Sequence, residues 1–172
     1  MVKIWKISLT AILLSMLIGT VLFAADNRHY VNARFGFSVD VPSSMYMKPA
    51  PANDDGRAFV DKATGLEIIA SGSNNVMMSD AIGEAEMSVP DGTKSAVKSD
   101  KAKAEKDVTI CWTEKNSVAW NRVILVTTPD NSDGVFIKVY AKYPKAKEQK
   151  CLDAVMAALK SLKSTVRPKT AN

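Results

Sequence analysis

A single histidine and two cysteines among 172 residues leave little material for imidazole- or thiol-based catalysis. The net charge is +5, and two of the 23 Lys and Arg but none of the 18 Asp and Glu fall in the first 25 residues, so the remainder of the chain keeps 21 basic against 18 acidic side chains. An excess this small, in a chain whose densest basic stretch (Lys94 to Lys106) also holds Asp100 and Glu105 and lacks an aromatic, speaks against a nucleic-acid partner. That stretch reads as a solvated linker or helix face.

Lys3 and Lys6 precede an uncharged run from Ile7 to Phe23 that closes on Ala24 and Ala25, the three regions of a cleavable secretory signal peptide. Ser8, Thr10, Ser15, Gly19 and Thr20 dilute the run below what an anchor of roughly 17–25 apolar residues requires. No cysteine stands near the exit to carry a lipid. The expected organisation is a signal peptide over 1–25, cut after Ala24 or Ala25, one domain over 26–164 and a flexible tail over 165–172. The product is expected to be periplasmic or secreted, with no membrane span in its mature form.

Tyr30 to Val41 predicts an opening strand, because Phe35, Phe37, Val39 and Val41 alternate with Gly36, Ser38 and Asp40 until Pro42 ends it. After a Pro- and Met-containing loop, Asn53-Asp54-Asp55-Gly56 supplies turn chemistry, and Arg57 to Asp61 with Leu66 to Ser71 predict a hairpin around Lys62-Ala63-Thr64-Gly65. A short helix is expected from Ser79 to Ser88, with Ser79 as its cap and Val89-Pro90-Asp91-Gly92 as its stop. Asp107 to Glu114, Val118 to Thr127 and Val135 to Tyr143 then form an antiparallel meander. Leu152, Val155, Met156, Leu159 and Leu162 recur at helical spacing and predict an amphipathic helix laid on the sheet.

The search for chemistry in this frame returns few candidates. His29 lies near the mature N-terminus, a poor holder for a catalytic imidazole. Both Asp-rich turns fail the calcium-loop template, which would place Pro51 or Pro129 at the first position and Lys62 or Tyr140 at the twelfth. No metal, cofactor or catalytic residue is therefore assigned, although carboxylates distant in sequence can meet in a fold, which keeps a hydrolase as the alternative. Trp112 and Trp120 lie on adjacent predicted strands and form the candidate binding surface, against the plainer role of packing in the core. The methionines Met45, Met47, Met77, Met78 and Met87 are expected mainly to fill gaps, with an adaptable apolar surface as the other reading. Cys111 and Cys151 are the expected disulfide. In an oxidising compartment an even pair is most often bridged, and closing a loop of about 40 residues would contribute roughly 3–4 kcal/mol.

The ordered set Tyr30-Val31-Asn32, Phe35-Gly36-Phe37, Val39, Val41-Pro42, then Asn53-Asp54-Asp55-Gly56-Arg57, Phe59 and Gly65-Leu66-Glu67-Ile68, resembles the start of PsbP-like domains of small bacterial periplasmic proteins. Tyr140, Tyr143-Pro144 and the helix running to Ser161-Leu162-Lys163 are similar to the closing segment of the same group. The resemblance implies an α+β fold, an antiparallel sheet of about six strands flanked by helices as an α/β/α sandwich. It also implies non-covalent binding or assembly of a protein or envelope partner. It carries over no catalytic residue. A secreted structural or inhibitory factor is the remaining alternative.

Overall fold

The structure, a computed structural model, describes residues 26–100 and 103–166. The expected export signal over 1–25 lies outside the described residues, and so does the expected tail from residue 167 onward.

The stretch expected as one opening strand is a hairpin, β1 (Asn27–Asn32) and β2 (Phe37–Pro42). The alternation of Phe35, Phe37, Val39 and Val41 is real, and all four are buried, but the chain turns in its midst. Asn32, itself buried, accepts the Phe35 backbone N–H through Oδ1 at 2.9 Å, and Gly36 adopts φ +59°. Only a residue without a side chain takes that left-handed turn cheaply. A period-two count cannot see such a reversal when the turn residue itself is apolar. Near the C-terminus a two-residue strand, β10 (Lys163–Ser164), adds to the other edge of β2.

The main sheet has seven antiparallel strands in the order β3-β4-β5-β9-β8-β7-β6. Its members are β3 (Tyr46–Met47), β4 (Gly56–Asp61), β5 (Leu66–Asn74), β6 (Ser95–Val97), β7 (Asp107–Glu114), β8 (Ser117–Thr128) and β9 (Asn131–Pro144). The expected hairpin and meander are all present, and the two short edge strands β3 and β6 are additions. Helix α1 (Ala81–Glu86) is capped by Asp80 rather than Ser79, the Asp80 carboxylate accepting the Gly83 N–H at 2.8 Å. Helix α2 (Glu148–Ser161) follows a 3-10 turn over Lys145–Lys147.

Each face of the large sheet carries its own core. On one face Phe59, Ile68, Ile137, Val139, Ala141 and Tyr143 meet α2 and the inner side of the β1–β2 hairpin. On the other Val108, Ile110, Trp112, Val123 and Phe136 meet α1 through Ala81 and Ala85. Successive residues of β9 alternate between the two, Phe136 and Ile137 being the clearest pair. The hairpin is locked to the sheet by Phe35, whose ring lies so close over Gly72 that a Cβ there would stand 2.3 Å from it. The buried stripe of α2 is Cys151, Val155, Ala158 and Leu159, so the helix is turned slightly from the expected stripe, and Leu152 and Met156 are only half-buried.

Candidate functional site

Helix α2 packs chiefly on β2, β9, β8 and β5, and toward β7 and β6 the same face opens into a groove. Register decides what lines it. On β6, Ala96 lies opposite Cys111, so Lys94, Ala96 and Lys98 face the groove while Val97 faces the α1 side. On β7 the groove residues are Thr109, Cys111 and Thr113, and on β8 they are Val118, Trp120 and Arg122. The far wall comes from α2 and the turn before it, with Lys145, Glu148, Met156 and Lys160. Two adjoining cavities of about 500 and 680 Å³ make up the groove and share Lys98 and Trp120.

Two side chains in its floor are held firmly. The Trp120 indole N–H donates to the Tyr143 hydroxyl at 3.2 Å, and burial keeps that phenol's pKa above the ordinary tyrosine value. Arg122 makes a two-pronged bond to Asp107 at 3.0 and 2.7 Å and also donates to the Leu159 carbonyl, tying the last turn of α2 to the sheet. A cation there complements the negative end of the helix. The rim amino groups of Lys94, Lys98, Lys145 and Lys160 have no carboxylate within ion-pair reach among the described residues. The groove thus offers apolar surface around Trp120, with Lys94, Lys98, Lys103, Lys145 and Lys160 along its lining against Asp100, Asp107 and Glu148.

The expected tryptophan pair is divided by the sheet. Trp112 pairs in register with Ala119 and is buried on the α1 face, its ring 6.0 Å from Tyr140, whereas Trp120 pairs with Cys111 and faces the groove. Cross-strand partners share a face and their neighbours point away, so only Trp120 presents its ring to the groove.

Cys111 and Cys151 are both free thiols, and the expected bridge is not formed. Both residues lie on the α2 side of the sheet. Cys151, however, is fully buried on the inner face of α2, whereas Cys111 sits half-exposed in the groove beside Glu148 and Lys98. Burial pushes the Cys111 thiol above its ordinary pKa, partly opposed by Lys98.

His29 hydrogen-bonds Asp40 at 2.6 Å on the exposed side of β1 and β2. Among the described residues no serine, threonine or cysteine side chain hydrogen-bonds the ring, and Ser161, bonded to the Asp40 backbone at 2.8 Å, serves to tie α2 to β2. The Asp-rich turn before β4 is held by its own side chains, Asn53 donating to Asp55 at 2.6 Å and the Asp54 carbonyl accepting from Asn32 at 2.9 Å.

No protein-family profile matches the chain, and no curated protein matches it in sequence. Solved structures do share its fold. The Ran-binding protein Mog1p of Saccharomyces cerevisiae is 12% identical with a TM-score of 0.52, over 83% of this chain and 97% of that one. The cyanobacterial PsbP of Synechocystis is 9% identical with a TM-score of 0.50, over 84% and 96%. LpqN of Mycobacterium tuberculosis, described as involved in cell envelope biogenesis, is 10% identical with a TM-score of 0.51, over 82% and 91%. At these identities the likeness is one of architecture, and it gives this chain a PsbP-like α+β fold.

Proposed function

We propose that this chain is an exported binding or assembly domain that holds a protein partner by an acidic, partly apolar segment lying in the groove around Trp120. The observation that carries the reading is the pairing of an immobilised indole with four rim lysines that lack partners among the described residues. A segment with one large apolar side chain and flanking carboxylates would satisfy both, the aromatic contact giving affinity and the lysines steering the encounter. Structural neighbours that include a Ran-binding protein and an envelope-biogenesis protein support binding on this fold, and residues 1–25 support export.

A synthetic peptide of alternating Glu and Leu, titrated by calorimetry at low and high salt, tests the groove. It is expected to bind the wild type, to lose at least about tenfold in affinity with Trp120→Ala or Lys98→Glu, and to weaken as salt screens the lysines. Equal binding by the variants, or stronger binding of a single-stranded oligonucleotide than of the peptide, would overturn the reading. Export is tested separately by the N-terminus of the protein recovered from cells, expected at Ala25 or Asp26.

A further inference from the structure

The α1 side of the sheet presents a second surface of opposite character. After β5 the chain forms a short loop in which Val76, Met77 and Met78 are 82%, 74% and 75% exposed, and Met87, at the end of α1, is 65% exposed beside them. Single exposed apolar residues are ordinary, but four large ones in one patch are not.

This loop is built rather than loose. Asn75 is buried and spends its whole amide on it, donating to the Ser79 and Asp133 carbonyls at 3.0 and 2.9 Å and accepting the Ser79 N–H at 3.0 Å. Its backbone N–H bonds the Gly134 carbonyl in the β8–β9 hairpin, and Met78 is held at φ +51°, a left-handed conformation costly for a side-chain-bearing residue. The backbone of the loop is thereby held, and its three apolar side chains project outward as a ridge.

What flanks the ridge indicates its complement. On one side a cavity of about 360 Å³ runs past Met78 and Leu125 and is lined by Asp80, Glu105 and Asp133 against one cation, Lys106. On the other a cavity of about 250 Å³ is lined by Met77, Met87 and Phe136, where Glu84 and Lys138 neutralise each other at 2.6 Å. We propose that this ridge docks a basic amphipathic segment of a protein partner, its apolar side chains seated against Met77, Met78 and Met87 and its cations against Asp80, Glu105 and Asp133. Methionine suits such a surface, because its unbranched thioether adapts to varied apolar shapes. The same carboxylates would repel an anionic lipid surface. The ridge and the Trp120 groove lie on opposite faces of the sheet, so the domain could hold both segments at once.

The test uses a fluorescent 18-residue Leu/Lys amphipathic peptide, its Leu/Glu counterpart and phosphatidylglycerol vesicles against the mature protein. The Leu/Lys peptide is expected to bind. Binding should fall at least about tenfold in the Met77→Ser, Met78→Ser, Met87→Ser triple variant and separately in Glu105→Lys, Asp133→Lys, while the melting temperature of each stays within a few degrees of wild type. The triple variant should still bind the Glu/Leu peptide at the groove, which separates failure of the ridge from failure of the groove. Undiminished Leu/Lys binding by both variants would overturn the proposal. So would binding of the vesicles in preference to the peptide, or self-association of the wild type that the triple variant abolishes.

Discussion

The two faces of the seven-stranded sheet are finished differently. Under α2 the core is deep and continuous, running from the β1–β2 hairpin through Phe37, Val39, Phe59 and Ile68 to Tyr143 and Leu159, and its polar groups find partners where it meets the groove. Under α1 the core is smaller and the helix has only six residues. Buried polar atoms without a hydrogen-bond partner occur on both sides, the Trp112 indole nitrogen and Asn121 Oδ1 here and Ser38 Oγ on β2. The difference suggests a division of labour. The α2 face supplies stability and a rigid floor for the groove, while the α1 face has the smaller core and carries the ridge of exposed methionines.

The comparison breaks most directly in the deep core. Phe37 is fully buried, and Tyr30 packs edge-on against both it and Phe59, at ring distances of 6.1 and 5.7 Å. Truncation to Ala removes the ring and leaves a void that neighbouring strands cannot collapse to fill. Phe37→Ala is expected to cost about 3–5 kcal/mol in denaturant unfolding, a large part of the stability of a domain this size. A loss below about 1 kcal/mol would mean that the hairpin adds little and that the α2 face is not the stabilising one.

The opposite sign is expected on the α1 face. Asn121 is buried and donates to the Ser88 hydroxyl at 2.9 Å, but its carbonyl oxygen has no partner. Ser88 is exposed and can turn to water, so Asn121→Leu removes an unpaired acceptor at little expense. This variant is expected to be neutral or stabilised by up to about 1 kcal/mol, visible as a raised melting temperature. A loss beyond about 2 kcal/mol would show that the amide is satisfied in solution.

How much of this asymmetry is legible in the sequence depends on the element. The meander and α2 are long enough for their periods to show, and their apolar positions are those that fill the cores. Strand β6 escaped because one of its faces lines an open groove. Lys94, Ala96 and Lys98 carry no apolar signal there, and Val97 alone points inward, so the segment reads as part of a charged linker. The tryptophans were separable in principle, since the reversal through Lys115 and Asn116 sets Glu114 opposite Ser117, and counting back places Trp112 opposite Ala119 rather than Trp120. The methionines divide by context. Met45 follows a strand and is buried, as gap-filling predicts, whereas Met77 and Met78 sit in a run that fits neither period, and what turns them outward is the long-range anchoring of Asn75 to Asp133. Pairings across such distances in the chain cannot be read from composition.

The smallest expected effect leaves the fold untouched and reports on the two cysteines. Cys111 lies half-exposed in the groove and Cys151 is fully buried, both as thiols. Native protein treated with a maleimide should therefore take up one label, on Cys111, and a second only after denaturation. Because burial holds the Cys111 thiol above its ordinary pKa, its thiolate is the minor form at neutral pH, and the labelling rate should keep rising with pH beyond the range where an ordinary cysteine levels off. Prior occupation of the groove by the Glu/Leu peptide should slow that single label, which ties the thiol to the proposed binding site. No uptake even in denaturant, with a mass two hydrogens lighter than the reduced chain, would instead reveal a bridge between Cys111 and Cys151. The wall between α2 and β7 would then be a covalent one, with the groove fixed in width rather than free to adapt to its segment.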